Sequence, residues 1–504
     1  MTTVTRWARL AVAGVLAVGS TPAWAAMPAS PIRHVLLISV DGLHAADLDH
    51  YIHDHPSATL AWLARHGITY ADAHGATPAD SFPGLLGIMT GGNPAATGVY
   101  FDVSYARDLA SDEPSCRAGR LGAVVAFDEA ADGAPDAQGR RRIDPARLPR
   151  RPGDCAPVYP HAYLRANTVF NVIHDTGGHT AWIDKHPVYE ILRGPDGHGI
   201  DDLDTPEIGG DFEGSRRKPV DHITGSIQRT EAYDTGKAKA VLAEIDGWTH
   251  DRSHSAPVPV LFGLNLQAVN VAQKLAGYAD PDGVPEPGLA RALGHCDRLL
   301  GRMVDALRAR RLLDSTLVVV TAKHGNAPMD RASLRHVAKS ELRQAIDAAA
   351  PGALAQLTTD QGALVWLHEP ATAAKVATML RSRAHALGIA RVLEGNEVTR
   401  YFDARQGDPR VPDLLVMARP GVIYGKPGDG KLAEHGGFDS DNTHVALLLS
   451  NPHLAAPGTR WTGAVATLQI APTVLSVLGL DPAALDAVRA QRTQPLPGIA
   501  GKLH

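Results

Sequence analysis

Val35-Leu36-Leu37-Ile38-Ser39-Val40-Asp41-Gly42 is a short apolar run closed by a carboxylate and a glycine. A run that is apolar on both faces suits a strand in a mostly parallel sheet covered by helices on each side. Similar runs recur at 258–264, 316–321, 414–417 and 445–449. Between them lie stretches with helical periodicity, at 59–65, 231–245 and 289–307. This alternation predicts one α/β domain with a doubly wound, mostly parallel central sheet, helices on both faces and inserted lobes. Three segments break the rhythm and are expected to be insertions. Residues 102–160 and 193–226 are rich in Asp, Arg, Gly and Pro and read as surface loops; 340–410 carries a strand and a helix of its own, as a small lobe would.

Composition narrows the function. Of 504 residues, 44% are hydrophobic and 20% charged, which excludes a disordered or fibrous chain. The 49 Lys+Arg against 54 Asp+Glu leave a net charge of −5, so no basic surplus supports a nucleic-acid-binding surface. Arg6 and Arg9 precede an apolar run at 10–19, and Ala23-Trp24-Ala25-Ala26 offers small residues for cleavage. That layout predicts a signal peptide over 1–26, a mature domain over 27–504, and a periplasmic or secreted location with no membrane span. In an oxidising compartment Cys116 and Cys155 are expected to pair. Cys296 falls on the apolar stripe of the 289–307 helix and reads as core.

In open α/β sheets the chemistry lies beyond the carboxyl ends of the strands. Asp41 follows the first run, where a carboxylate can hold a divalent cation or simply cap the next helix. Ala79-Asp80-Ser81-Phe82-Pro83-Gly84 leads into the apolar Leu85-Leu86-Gly87-Ile88-Met89, with Ser81 placed like an N-cap and Pro83 in the first turn. A helix N-terminus there offers an anion site, and the Ser81 hydroxyl is positioned to attack phosphorus if a metal or base activates it. Lys323-His324-Gly325 follows the run at 316–321, and Glu434-His435-Gly436-Gly437 precedes the run at 445–449. Each histidine is a metal-ligand candidate, with a hydrogen-bonded loop His as the alternative.

Taken together, these residues resemble the alkaline-phosphatase superfamily, in its nucleotide pyrophosphatase/phosphodiesterase branch. The resemblance runs over roughly 33–485. It is carried by Val40-Asp41-Gly42, the 59–66 helix followed by Gly67-Ile68-Thr69-Tyr70, Ser81-Phe82-Pro83, Met89-Thr90-Gly91, Thr97-Gly98-Val99, His324-Gly325 and His435-Gly436. It implies a hydrolase of phosphate diesters or pyrophosphates that forms a phosphoryl-enzyme between two metal ions, usually zinc. On that resemblance Ser81 is the nucleophile, Asp41 and His324 ligate the metal that activates it, and His435 ligates the other.

The chain then departs from the pattern. Lys323 stands where the family has an Asp, and Gln267 and Val271 stand where it has an Asp and a His. Asp102 replaces a phosphate-binding Asn. A protonated Lys cannot ligate, and a dication would repel it. Lys323 can instead stand in for a cation, lowering the Ser81 pKa and stabilising an anionic phosphoryl group. The expected cofactor is therefore a divalent metal of zinc type, as one ion or none. Asp102, Lys185, His186 and Gln267 are the expected substrate-binding residues, with Asp184 and His186 alternatively replacing a lost ligand. The expected partner is a small-molecule phosphate ester or diester. Two alternatives stay open: a non-catalytic anion-binding protein on the same fold, and a sulfatase, against which Leu85 stands where the sulfatase motif needs Arg.

Overall fold

The computed structural model describes residues 30–136, 140–209, 222–426, 428, 430–454 and 457–499, together with residue 2. Apart from residue 2, the expected signal peptide lies outside the described residues.

The central sheet has eight strands: β1 (His34–Val40), β2 (Gly67–Tyr70), β3 (Ala181–Ile183), β4 (Asp202–Asp204), β5 (Leu261–Leu266), β6 (Thr316–Thr321), β7 (Leu447–Ser450) and β8 (Thr459–Trp461). Their order is β8-β2-β7-β6-β1-β5-β3-β4. All run parallel except β7, which pairs antiparallel with both β6 and β2. Successive side chains of a strand point to opposite faces. Accordingly Val35, Leu37, Leu317 and Val319 enter one core, while Leu36, Ile38, Val40, Val318 and Val320 enter the other. Two buried faces are why β1 and β6 read as unbroken apolar runs rather than alternating ones. The second face is covered by the helices Ile227–Ile245, Ala268–Leu275 and Pro287–Ala309, which pack against one another. Cys296 is buried on the last of these.

Several expectations are corrected. The run at 258–264 becomes a strand only from Leu261, because Pro257 and Pro259 cannot donate to the ladder. The run at 414–417 is not in the central sheet. It forms Leu414–Ala418 of a separate antiparallel sheet with Leu354–Thr359, Gly362–Leu367 and Ile389–Glu394. Both faces of this lobe sheet are also buried, Leu414 and Val416 in one cluster and Leu415 in another, so the sequence pattern could not distinguish the two sheets. The segment 102–160 is more than a surface loop. It contains the hairpin Val103–Ala106 with Ala123–Ala126 and the Cys116–Cys155 disulfide, and it buries Ala106, Val125, Phe127 and Leu148 in the main core. Part of 193–226 supplies β4, an edge strand of the central sheet.

Candidate active site

Strand polarity gathers the polar residues. Asp41 follows β1, Lys185 follows β3, Gln267 follows β5, and Lys323 and His324 follow β6, all at the carboxyl edge. Because β7 runs the other way, with Leu447 opposite Thr321, the loop that precedes it brings His435 to the same edge.

Ser81 opens helix α1 (Ser81–Thr90), every residue of which is buried. The N-cap is Asp80, not Ser81: the Asp80 carboxylate accepts the Phe82 N–H at 3.2 Å. The Ser81 hydroxyl is thereby released from capping and lies 3.4 Å from His324 Nε2. Gly84 permits this approach. A Cβ there would come within 2.1 Å of the Lys323 carbonyl oxygen, so no larger residue lets the first turn of α1 sit against the end of β6. Gly42 is similarly constrained, with φ +85° and its missing Cβ replaced by the Gln273 and Asn326 amides.

Asp41 is fully buried and surrounded by donors. Its Oδ2 accepts from Gln267 Nε2 at 2.7 Å and lies 3.5 Å from Lys185 Nζ; its Oδ1 lies 3.4 Å from Lys323 Nζ. With the Asn265 amide oriented so that both ends are satisfied, it donates to Asp41 Oδ1 at 2.9 Å and accepts from Lys323 Nζ at 3.0 Å. Lys323 Nζ also donates to the Tyr189 hydroxyl at 2.9 Å, and the Tyr189 ring packs on Phe82 of α1. Burial opposes ionisation of Asp41, but the Lys323 and Lys185 charges outweigh it and hold the carboxyl well below its usual range. For Lys323, burial is the larger effect: it lowers the ammonium to about 8, partly countered by Asp41.

His324 is lowered to about 3, by burial first, with the two lysines adding to the effect against Asp41. It is therefore neutral near pH 7. Its Nδ1 is 3.1 Å from the Gly325 carbonyl oxygen, which assigns the proton to Nδ1 and leaves Nε2 as the acceptor facing Ser81. The His324 and His435 rings lie 4.3 Å apart.

On the His435 side the groups are acidic. One ligand atom from each of Asp360, Glu434 and His435 lies within 4.8 Å of the others. Asp360 comes from the lobe, at the turn between Leu354–Thr359 and Gly362–Leu367. His435 Nδ1 is buried without a hydrogen-bond partner, 3.7 Å from Asp360 Oδ2. Glu434 is paired with Lys274 and, at 2.6 Å, with Lys431. Asp102 belongs to the same acidic rim. Burial, and then the charges of Asp80 and Asp360, push its carboxyl well above the usual range.

The structure thus brings together Asp41, Ser81, Lys185, Gln267, Lys323, His324 and His435, with Asp102 beside them. Gln267 faces Asp41 and Lys185 rather than open space, with its Oε1 3.4 Å from Lys185 Nζ. His186 turns away to Glu207, and Asp184 accepts the Trp182 indole N–H. Sequence reasoning missed Tyr189, Asn265, Asp360 and Glu434. Glu434 had a signal in its place beside His435. Asp360 had none, because only the packing of the lobe delivers it.

The fold and the strand-edge placement of these residues define an α/β protein of the alkaline-phosphatase-like class. Residues 35–440 match the type I phosphodiesterase / nucleotide pyrophosphatase family, and the chain belongs to that family. It is thereby placed among hydrolases of phosphate esters. Solved structures share the fold at low identity. Murine ectonucleotide pyrophosphatase / phosphodiesterase 5 is similar with a TM-score of 0.55 at 14% identity, over 89% of this chain and 96% of that one. The human counterpart gives 0.55 at 14%, over 89% and 95%. Wild-type alkaline phosphatase PafA gives 0.64 at 14%, over 94% and 100%. No curated protein matches the sequence significantly. Among the described residues, no helix is long and apolar enough to cross a membrane.

Proposed function

We propose that this chain is an exported phosphodiesterase or nucleotide pyrophosphatase in which two lysines replace the nucleophile's metal ion. The observation that carries this reading is the pair of ammonium groups, Lys323 and Lys185, on opposite oxygens of buried Asp41. A dication placed between Asp41 and His324 would face both at short range, so these residues do not fit a metal there. No step is routed through such an ion.

Ser81 attacks phosphorus, forming a phosphoseryl intermediate and releasing the alcohol or nucleotide leaving group; water then hydrolyses that ester. His324 Nε2 accepts the Ser81 proton, and the imidazolium so formed lies 3.9 Å from Asp41 Oδ2. In the free protein His324 is a weak base. The negative charge of an arriving phosphate raises the proton affinity of His324 and Lys323 together, which favours both the base and the cation. Lys323, Lys185 and the N-terminus of α1 oppose the charge that grows on the phosphoryl oxygens. Asp102, whose carboxyl is pushed upward by burial and by Asp80 and Asp360, offers an O–H donor when it carries its proton, where the family's Asn offers an N–H.

Asp360 and His435 offer donors to a single divalent ion of zinc type, on the strength of the orphaned, buried His435 Nδ1; Glu434, held by Lys274 and Lys431, could join them only by giving up those lysines. Bound there, it would supply Lewis-acid polarisation of a phosphoryl or leaving-group oxygen. The AMP complex known for a variant of the murine relative makes nucleotide esters the first substrates to try. The test is Ser81→Ala against wild type on aryl phosphodiester, aryl phosphomonoester and nucleotide substrates, with and without chelator. The expected loss in kcat is about 10³-fold or more. Equal rates, or no turnover by wild type under any metal condition, would leave the anion-binding alternative standing.

A further inference from the structure

Tyr189 has no part in the transfers assigned to Ser81, His324 and the two lysines, yet its hydroxyl lies among them. The turn after β3 delivers it. At His186 the backbone takes φ +50°, a conformation that ordinary side chains rarely adopt, and the imidazole is anchored on the almost wholly buried Glu207. A 3₁₀ helix, Pro187–Arg193, starts there and carries Tyr189. Tyr189 is fully buried, and its ring packs on that of Phe82, the neighbour of Ser81, with centroids 4.6 Å apart. Its hydroxyl has two side-chain partners: Lys323 Nζ at 2.9 Å, and the Ser81 hydroxyl.

Proton counting fixes the direction of each bond. An ammonium can only donate, so the phenol oxygen accepts from Lys323 and its single proton is left for the Ser81 oxygen. A carbonyl can only accept, so His324 Nδ1 donates to Gly325, and Nε2, 3.4 Å from Ser81 Oγ, accepts the Ser81 proton. Lys323, Tyr189, Ser81, His324 and the Gly325 carbonyl thus form one chain in which every hydrogen bond points the same way. Each link polarises the next, and the ammonium behind the phenol strengthens it as a donor. Burial, and then the charges of Asp184, Asp41 and Asp80, push the phenol well above its usual range, so it holds its proton near pH 7.

We propose that Tyr189 is a catalytic residue, whose O–H donates to Ser81 Oγ and stabilises the negative charge on that oxygen when the phosphoseryl ester is cleaved. This rests on the hydrolase reading of the site and assigns its second step. There the water oxygen forms the new bond to phosphorus and the P–Oγ bond breaks, its electron pair going to Oγ. His324 passes the proton lost by water to Oγ, and Tyr189 keeps its own. An alkyl oxygen is a poorer leaving group than an aryl oxide. The demand on the donor is therefore greater when the seryl ester is cleaved than when it is made from an aryl substrate.

Rapid-quench kinetics on a 4-nitrophenyl phosphodiester separate the two steps. The burst of nitrophenolate reads formation of the seryl ester; the steady state, with mass spectrometry of the Ser81 peptide, reads its breakdown. Tyr189→Phe keeps the ring on Phe82 and should slow breakdown about 10- to 100-fold, formation clearly less. The ester should then accumulate to about one per chain. Lys323→Met should slow both steps together, since the ammonium opposes phosphoryl charge in each. Equal slowing of both steps by Tyr189→Phe, or of neither, overturns the proposal and leaves the hydrolase reading intact; undiminished turnover by Ser81→Ala overturns both. If Tyr189→Phe does not fold, replacement of Tyr189 by 3-fluorotyrosine decides, because fluorine makes the phenol a stronger donor and a weaker acceptor. Breakdown should then quicken about twofold or more. An unchanged or slower rate, as expected of a hydroxyl that only anchors Lys323, overturns the proposal.

Discussion

The two halves of the strand-edge site differ in how completely side-chain cations satisfy them. Around Asp41, the carboxylate is buried and its partners are side-chain cations, Lys323 and Lys185, held by Asn265, Gln267 and Tyr189. Around His435, Asp360 lies 3.7 Å from the partnerless Nδ1 and Glu434 lies 3.7 Å from Nε2. The first half meets its carboxylate with two lysines; the second does the same for Glu434, with Lys274 and Lys431, but keeps an unpartnered imidazole nitrogen beside Asp360. A side-chain ammonium can stand in for a metal's charge but not for its ability to bind several oxygens at once. One lysine half and one carboxylate half is therefore a different instrument from a paired-metal site, even on the same backbone.

The comparison is broken most severely at Lys323. Lys323→Met removes the buried cation and leaves Asp41 with Lys185 alone. On a phosphodiester substrate kcat should fall about 10²- to 10³-fold, the usual consequence of deleting one preorganised group that stabilises the transition state. Added zinc should not restore it, since Met supplies no carboxylate. Recovery with zinc would mean that the Asp41 half holds a metal after all.

The carboxylate half is probed by chelation. If it holds an ion that assists the reaction, chelator should slow wild type about 10- to 100-fold, and zinc should restore the rate. His435→Ala should be slow from the start and indifferent to chelator. A chelator effect of the same size in both proteins would place the responsive ion elsewhere.

A pH profile sharpens the contrast further. Lys323 is lowered to about 8 in the free protein, so its charge is complete below that pH and is lost as pH rises through it. The kcat/KM profile, which reports free-enzyme groups, should therefore descend near pH 8, and the kcat profile at higher pH because bound phosphate retains the proton. Lys323→Arg, always protonated, should keep part of the activity and lose this descending limb. Smallest of all, Lys185→Ala should cost about tenfold or less in kcat, because Lys185 is partly exposed and solvent screens it more than Lys323. A larger loss than for Lys323→Met would reverse the assigned order of the two lysines.

What could be read in advance follows from how local each feature is. Asp41, Lys323 and His324 directly follow apolar runs, so finding the runs located the residues. Ser81 stands at the start of a helix whose first turn is written in Asp80-Ser81-Phe82-Pro83, although the cap itself is Asp80. Lys323 in a ligand position was visible as a departure from the family pattern. Less legible were the features that depend on partners. The strand Leu414–Ala418 looked like the others because both sheets bury two faces.

By itself, the sequence determined that a parallel-rich sheet would form and that a serine, a histidine and a lysine would meet at its carboxyl edge. Periodicity and strand-end position are properties of contiguous residues, and they survive translation into structure. Only the tertiary structure decided that Lys185 would share Asp41 with Lys323, that His186 would turn to Glu207, and that a lobe would bring Asp360 to His435. Those outcomes rest on the direction of one turn and on packing between segments far apart in the chain, where burial and charge act through space and leave no local signature.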